Sequence, residues 1–97
     1  MNRIKILHLV TGLDVGGAEK VVLDLSRSLK ALGHEVFVIG ISDKDRLREL
    51  FVEQNINVRT LNVVKTISSF TRGCKELYVF IKKNNIKIVH AHMAHAL

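Results

Sequence analysis

The strongest constraint on this chain is a change of hydrophobic period that repeats along its whole length. Ile4 to Val10 is a near-continuous apolar run, the pattern of a parallel strand covered on both faces. Ala18, Val21, Val22, Leu25, Leu29 and Leu32 then recur at helical spacing, and Gly33 ends that helix as its C-terminal cap. Glu35 to Ile41 reads as a second strand, with Val36-Phe37-Val38-Ile39 at its centre. Leu47, Leu50 and Phe51 mark a shorter helix capped by Ser42 or Asp43, and Val58 to Val63 a third, weaker strand. Ile67, Phe70, Cys74, Leu77, Tyr78 and Ile81 form the stripe of a long third helix, with Ser68 or Ser69 near its start and Asn84-Asn85 at its end. Ile86 to Val89 is a fourth strand. The sum, β-α-β-α-β-α-β, predicts an α/β fold: a parallel sheet with helices on both faces, joined by right-handed crossovers. The strand order expected is 3-2-1-4, which makes strands one and four neighbours and puts a ligand crevice outside their carboxyl ends.

Two polar segments are predicted to meet at that crevice. Thr11-Gly12-Leu13-Asp14-Val15-Gly16-Gly17-Ala18-Glu19 follows the first strand and opens the first helix. Without a Cβ, Gly16 and Gly17 let backbone N–H groups come close to a ligand, and the helix N-terminus favours an anion such as phosphate. The other segment is Val89-His90-Ala91-His92-Met93-Ala94-His95-Ala96-Leu97, after the fourth strand. His90 reads as a core histidine in strand alternation, and His92, one step past the strand end, as the functional one. Because a titratable cluster follows a core strand directly, the chain is expected to be part of a longer protein.

Composition excludes several classes. The apolar fraction of 47% and charged fraction of 25% are those of a folded globular domain. No apolar run approaches the roughly 20 residues of a membrane helix, and from the direct entry into a strand no signal peptide is expected. The single cysteine, Cys74, excludes an internal disulfide and fits a reducing cytosol; it is expected to be buried on a helix face. The formal charge of +6 raises the question of nucleic acid, but stacking aromatics are scarce and no nucleic-acid module is present. Lys65, Arg72, Lys75, Lys82 and Lys83, opposed by Glu76 alone, suit a solvated face or an anionic membrane surface.

Three familiar motifs fail at particular positions. A dinucleotide fingerprint would need glycine where Asp14 stands, and that carboxylate would repel a pyrophosphate. A phosphate loop would need Lys-Ser/Thr where Ala18-Glu19 stand. The spacing His90-x-His92-x-x-His95 matches the His-x-His-x-Asp-His metal motif of metallo-β-lactamase-like hydrolases. Ala94, however, replaces the aspartate, and those hydrolases are antiparallel-rich sandwiches. No metal is therefore expected.

Taken together, Ile4-Lys5-Ile6-Leu7-His8-Leu9-Val10, the Gly12–Glu19 turn, Leu32-Gly33-His34-Glu35-Val36 and Ile88-Val89-His90-Ala91-His92-Met93 resemble the amino-terminal half of family-4 retaining glycosyltransferases. The resemblance implies a GT-B architecture of two Rossmann-like domains, of which the amino-terminal one mainly holds the acceptor. It implies that Gly16 and Gly17 lie against the donor's phosphates or the transferred sugar, and that His92 is the cleft histidine near that sugar. A nucleotide-sugar donor without a metal, a glycan or lipid-linked acceptor of cell-envelope polysaccharide synthesis, and a cytoplasmic site at the inner membrane face follow from the same likeness. The family's Glu-x7-Glu donor motif does not occur in these 97 residues, so the isolated chain is expected to be inactive. The alternatives are a non-catalytic nucleotide- or anion-binding module and a GT-B-fold epimerase.

Overall fold

A computed structural model describes residues 3–10, 17–42 and 48–92, for residues 17–19 the backbone alone. The elements run β1 (Lys5–Val10), α1 (Gly17–Ala31), β2 (Glu35–Gly40), α2 (Arg48–Glu53), β3 (Asn57–Thr60), α3 (Ile67–Lys83) and β4 (Ile88–His92). The sheet is entirely parallel, in the order β3-β2-β1-β4. Fold class and strand order are those the alternating periods predict.

The pleat of β1 divides the core into two layers. Val10 joins Val22 of α1, Val38, Phe51 of α2 and Ile56 on one face, with Leu23 and Val58 packed against them. Leu7 joins Phe37, Ile39 and Leu61 on the other, covered by Leu77, Phe80 and Ile81 of α3. Helices therefore cover both faces.

All three helices end alike. Gly33 at φ 96°, Asn55 at φ 57° and Asn85 at φ 54° take the left-handed conformation just past α1, α2 and α3. Each donates its N–H three residues back, and the next residue donates five back: His34 to Leu29, Ile56 to Phe51 and Ile86 to Ile81. That is the Schellman arrangement, which satisfies two otherwise orphaned carbonyls and turns the chain into the next strand. Lys30, in the last turn of α1, also donates to the carbonyls of Gln54 and Asn55, tying two helix ends together.

Several sequence expectations are corrected. Ser68 and Ser69 lie in the first turn of α3, as expected, and its N-cap is Thr66, whose hydroxyl accepts from the Ser69 N–H at 3.1 Å. Ser69 instead turns its hydroxyl back to accept from the Val64 N–H at 2.8 Å. The buried face of α3 runs through Ser69, Gly73, Leu77, Phe80 and Ile81, while Ile67, Phe70, Cys74 and Tyr78 of the predicted stripe are exposed. Gly73 is the reason: its backbone lies so close to Val63 that a Cβ there would collide with the valine side chain. Small residues make the closest contact, and a pattern of large apolar residues does not see them. Val21 and Leu32 of the predicted α1 stripe are likewise exposed, at 60% and 59%.

Strand ends move as well. β3 stops at Thr60 because Asn62 adopts φ 54°, although Leu61 and Val63 still donate to Gly40 and Ile41 at 2.8 and 2.9 Å. β4 begins later than predicted, since Ile86 belongs to the turn after α3, and it extends through His92. The suggested α2 cap Asp43 and the stripe residue Leu47 lie outside the described residues.

Candidate functional site

β1 and β4 are the neighbours at which strand order reverses, and their carboxyl ends lie side by side: Val10 is the register partner of His92. The chain leaves β1 at that end and α1 starts at Gly17, so the backbone N–H groups of the first helical turn belong to the same end of the sheet. Gly16, like His95, lies outside the described residues.

One side chain absent from the sequence-level site stands at its centre. His8, in the middle of the apolar β1 run, is the register partner of His90. Residues 8 and 10 of β1 share a face, as do 90 and 92 of β4, so His8, His90 and His92 all project from one side of the sheet. His8 is 1% exposed. Its Nδ1 lies 3.0 Å from Nε2 of the half-buried His92, a hydrogen bond in which one ring donates and the other accepts. His90 stacks on His92 with ring centroids 3.8 Å apart and planes tilted by 35°, and His8 lies 5.7 Å from the His90 ring and 5.0 Å from the His92 ring. His90 is exposed, which corrects its reading as a core histidine: β4 is covered less than β1, and the burial falls to His8.

Burial controls the protonation of this cluster. Desolvation first, then the neighbouring His92 and His90, push the His8 imidazole down to about 4. Desolvation and then His90 lower His92 too. Both rings are therefore neutral at physiological pH, each able to donate from one nitrogen and accept at the other. Among the described residues His8 Nε2 has no partner, and neither has the buried Ser26 hydroxyl, one turn along α1 from the core residue Val22. A single ring nitrogen from each of His8, His90 and His92 can be chosen so that all lie within 4.8 Å of one another.

Other surface features lie elsewhere. A groove of about 710 Å³ between α3 and the β2–β3 edge is lined by Phe37, Arg59, Lys75, Val79, Phe80 and Lys83. It is on the opposite face from the histidines, and Arg59 occupies part of it by stacking over Phe80 at 5.1 Å. Cys74 is exposed on α3, contrary to its expected burial. No helix among the described residues is long and apolar enough to cross a membrane.

The histidine that sequence reasoning missed was detectable. His8 is the lone ring-bearing polar residue in β1, and once β4 is placed beside β1, the parity of 8, 10, 90 and 92 follows from the pleat.

The fold is similar to that of a solved structure. A glycosyltransferase from Rickettsia africae ESF-5 superposes with a TM-score of 0.82 at 27% identity, over 99% of this chain and 25% of that one. The chain thus spans about a quarter of that protein's length. None of the curated proteins is similar enough to match. The sequence pattern of Glycosyltransferase Family 4 matches residues 15–97, and the chain belongs to that family.

Proposed function

We propose that the chain is the acceptor-side part of a retaining glycosyltransferase that moves a sugar from a nucleotide-sugar donor to a glycan or lipid-linked acceptor in cell-envelope polysaccharide synthesis. The observation that carries this reading is the pairing of β1 with β4 in a chain of this family. It brings the N-terminus of α1 and the ring of His92 to the same end of the sheet. A second Rossmann-like domain, completing a GT-B enzyme, closes over that end with the donor.

The chemistry asks for three things at this site. The departing diphosphate gathers negative charge, which the N–H groups around Gly16, Gly17 and the first turn of α1 stabilise with no metal at the diphosphate itself. The transferred sugar must be oriented, and the neutral His92 hydrogen-bonds its hydroxyls. With Nε2 of His92 directed at His8, Nδ1 is the nitrogen left for the sugar. Finally, an amphiphilic acceptor must be presented. Lys65, Arg72, Lys75, Lys82 and Lys83 are exposed beside Ile67, Phe70 and Tyr78, a combination that favours an anionic membrane surface on the cytoplasmic side over nucleic acid.

The test is transfer by the protein that carries this chain together with its donor-side domain. With an α-linked nucleotide sugar and a lipid-linked acceptor, proton NMR of the new linkage should show an α product. A β product refutes retention, and binding of the nucleotide sugar without any transfer favours the non-catalytic alternative. The 97 residues alone should give no turnover.

A further inference from the structure

We infer that His8, His90 and His92 form a binding site for a late first-row divalent metal ion, zinc foremost. This goes beyond the transfer reading and does not rest on it. The ligands come from adjacent strands whose parallel ladder fixes His8 opposite His90 and Val10 opposite His92, so a rigid sheet, and no loop, sets their spacing. One ring nitrogen from each lies within 4.8 Å of the others.

The distances suit a small ion. Zinc–imidazole bonds of about 2.0–2.1 Å at tetrahedral angles put two ligating nitrogens about 3.3 Å apart. His8 Nδ1 and His92 Nε2 stand at 3.0 Å, so replacing the shared proton by an ion spreads the pair by only a few tenths of an ångström. His90 is exposed, and rotation of its ring supplies the remaining adjustment. Its exposure also leaves a fourth position open to water, the arrangement of three-histidine zinc sites.

Ligand chemistry selects the ion. The cluster consists of imidazoles with no carboxylate in it. Magnesium and calcium seek oxygen ligands, whereas zinc, copper and nickel accept imidazole nitrogen. Each neutral ring keeps one lone pair, and a metal takes one from each in place of the proton shared by His8 and His92.

The site differs from the one the sequence spacing suggests. His90-x-His92-x-x-His95 would use His95; the sheet register substitutes His8. The experiment is titration of the EDTA-stripped chain in a Cys74→Ser background, since that exposed thiol is itself a soft ligand. Zinc binding is read by calorimetry, cobalt binding by its visible absorption, and the ring nitrogens by 15N NMR. The expected result is one saturable zinc or cobalt site, no response to magnesium, and a zinc-induced shift of the His8 ring nitrogen. His90→Ala and His92→Ala should each weaken zinc about tenfold or more, while His34→Ala and His95→Ala leave it unchanged. The NMR arm reports on His8 without a substitution in the core. Absence of saturable binding, an unmoved His8 ring, or binding lost on His95→Ala but kept on His90→Ala would each overturn the site.

Discussion

His8 Nδ1 and His92 Nε2 meet at 3.0 Å although 84 residues separate them in sequence. The contact exists because β1 and β4, the first and last strands of the unit, are neighbours in the parallel sheet. It joins a buried ring to one that reaches the crevice, and so it orients the residue proposed to meet the sugar and ties its tautomer to that of His8.

Burial of His8, and then its two histidine neighbours, makes stability pH-dependent. In the unfolded chain His8 titrates near its ordinary 6.5, and in the folded chain at about 4. Between those values the unfolded state binds the extra proton, so stability rises with pH in that window and is level above it. The His8 contribution is thus complete above about pH 6.5 and lost as pH falls through about 4, with a full span of about 3 kcal/mol. His92 acts in the same direction. Urea midpoints of the metal-free chain at pH 7.5, 6, 5 and 4 should fall, and His8→Leu should flatten the dependence. An unchanged slope in His8→Leu would assign the acid sensitivity elsewhere.

Gly73 is a packing requirement of α3. In an open helix Gly→Ala gains about 1 kcal/mol of propensity. Here the added methyl collides with Val63, and overpacking costs about 1–3 kcal/mol. Gly73→Ala should therefore destabilise the chain in denaturant unfolding, and Val63→Ala in the same background should recover part of the loss. Stabilisation by Gly73→Ala alone would mean that the loop before α3 yields freely.

Thr66→Ala should cost about 1 kcal/mol, since it removes the acceptor for the Ser69 N–H. Ser68 is exposed and outside the cap. Equal losses from Thr66→Ala and Ser68→Ala would contradict this assignment of the helix start.

These elements show why some features could be read from the chain and others not. β1 and β2 were legible because strands buried on both faces are continuous apolar runs. The sheet order followed from the alternation of elements. The face of α3 was not legible, because its closest contacts are made by Ser69 and Gly73, which carry no hydrophobic signal. His92 was singled out through its position beside a strand end. His8 was overlooked because a histidine inside an apolar strand looks like core until the neighbouring strand is known to bring two more. The role of Gly16 and Gly17 rests on sequence, since the turn before α1 lies outside the described residues.

The last prediction concerns the transfer step in the enzyme completed by its donor-side domain. A retaining transfer builds positive charge on the sugar and negative charge on the diphosphate, so a neutral ring holding the sugar hydroxyls contributes most as the bond breaks. Removing such a group lowers kcat by about 10²–10³-fold with little change in KM. His92→Ala should behave in this way. His95→Ala should be mild, and Gly17→Val should raise the donor KM by blocking backbone approach to the phosphates. His8→Leu separates position from contact: it leaves the His92 ring in place but frees its Nε2, so kcat should fall less than in His92→Ala and its pH profile should shift. Steady-state kinetics on the four variants, with unfolding midpoints measured alongside, decides the matter. Near-normal kcat in His92→Ala, with activity abolished in His90→Ala or His95→Ala, would move the sugar contact to another histidine of the cluster.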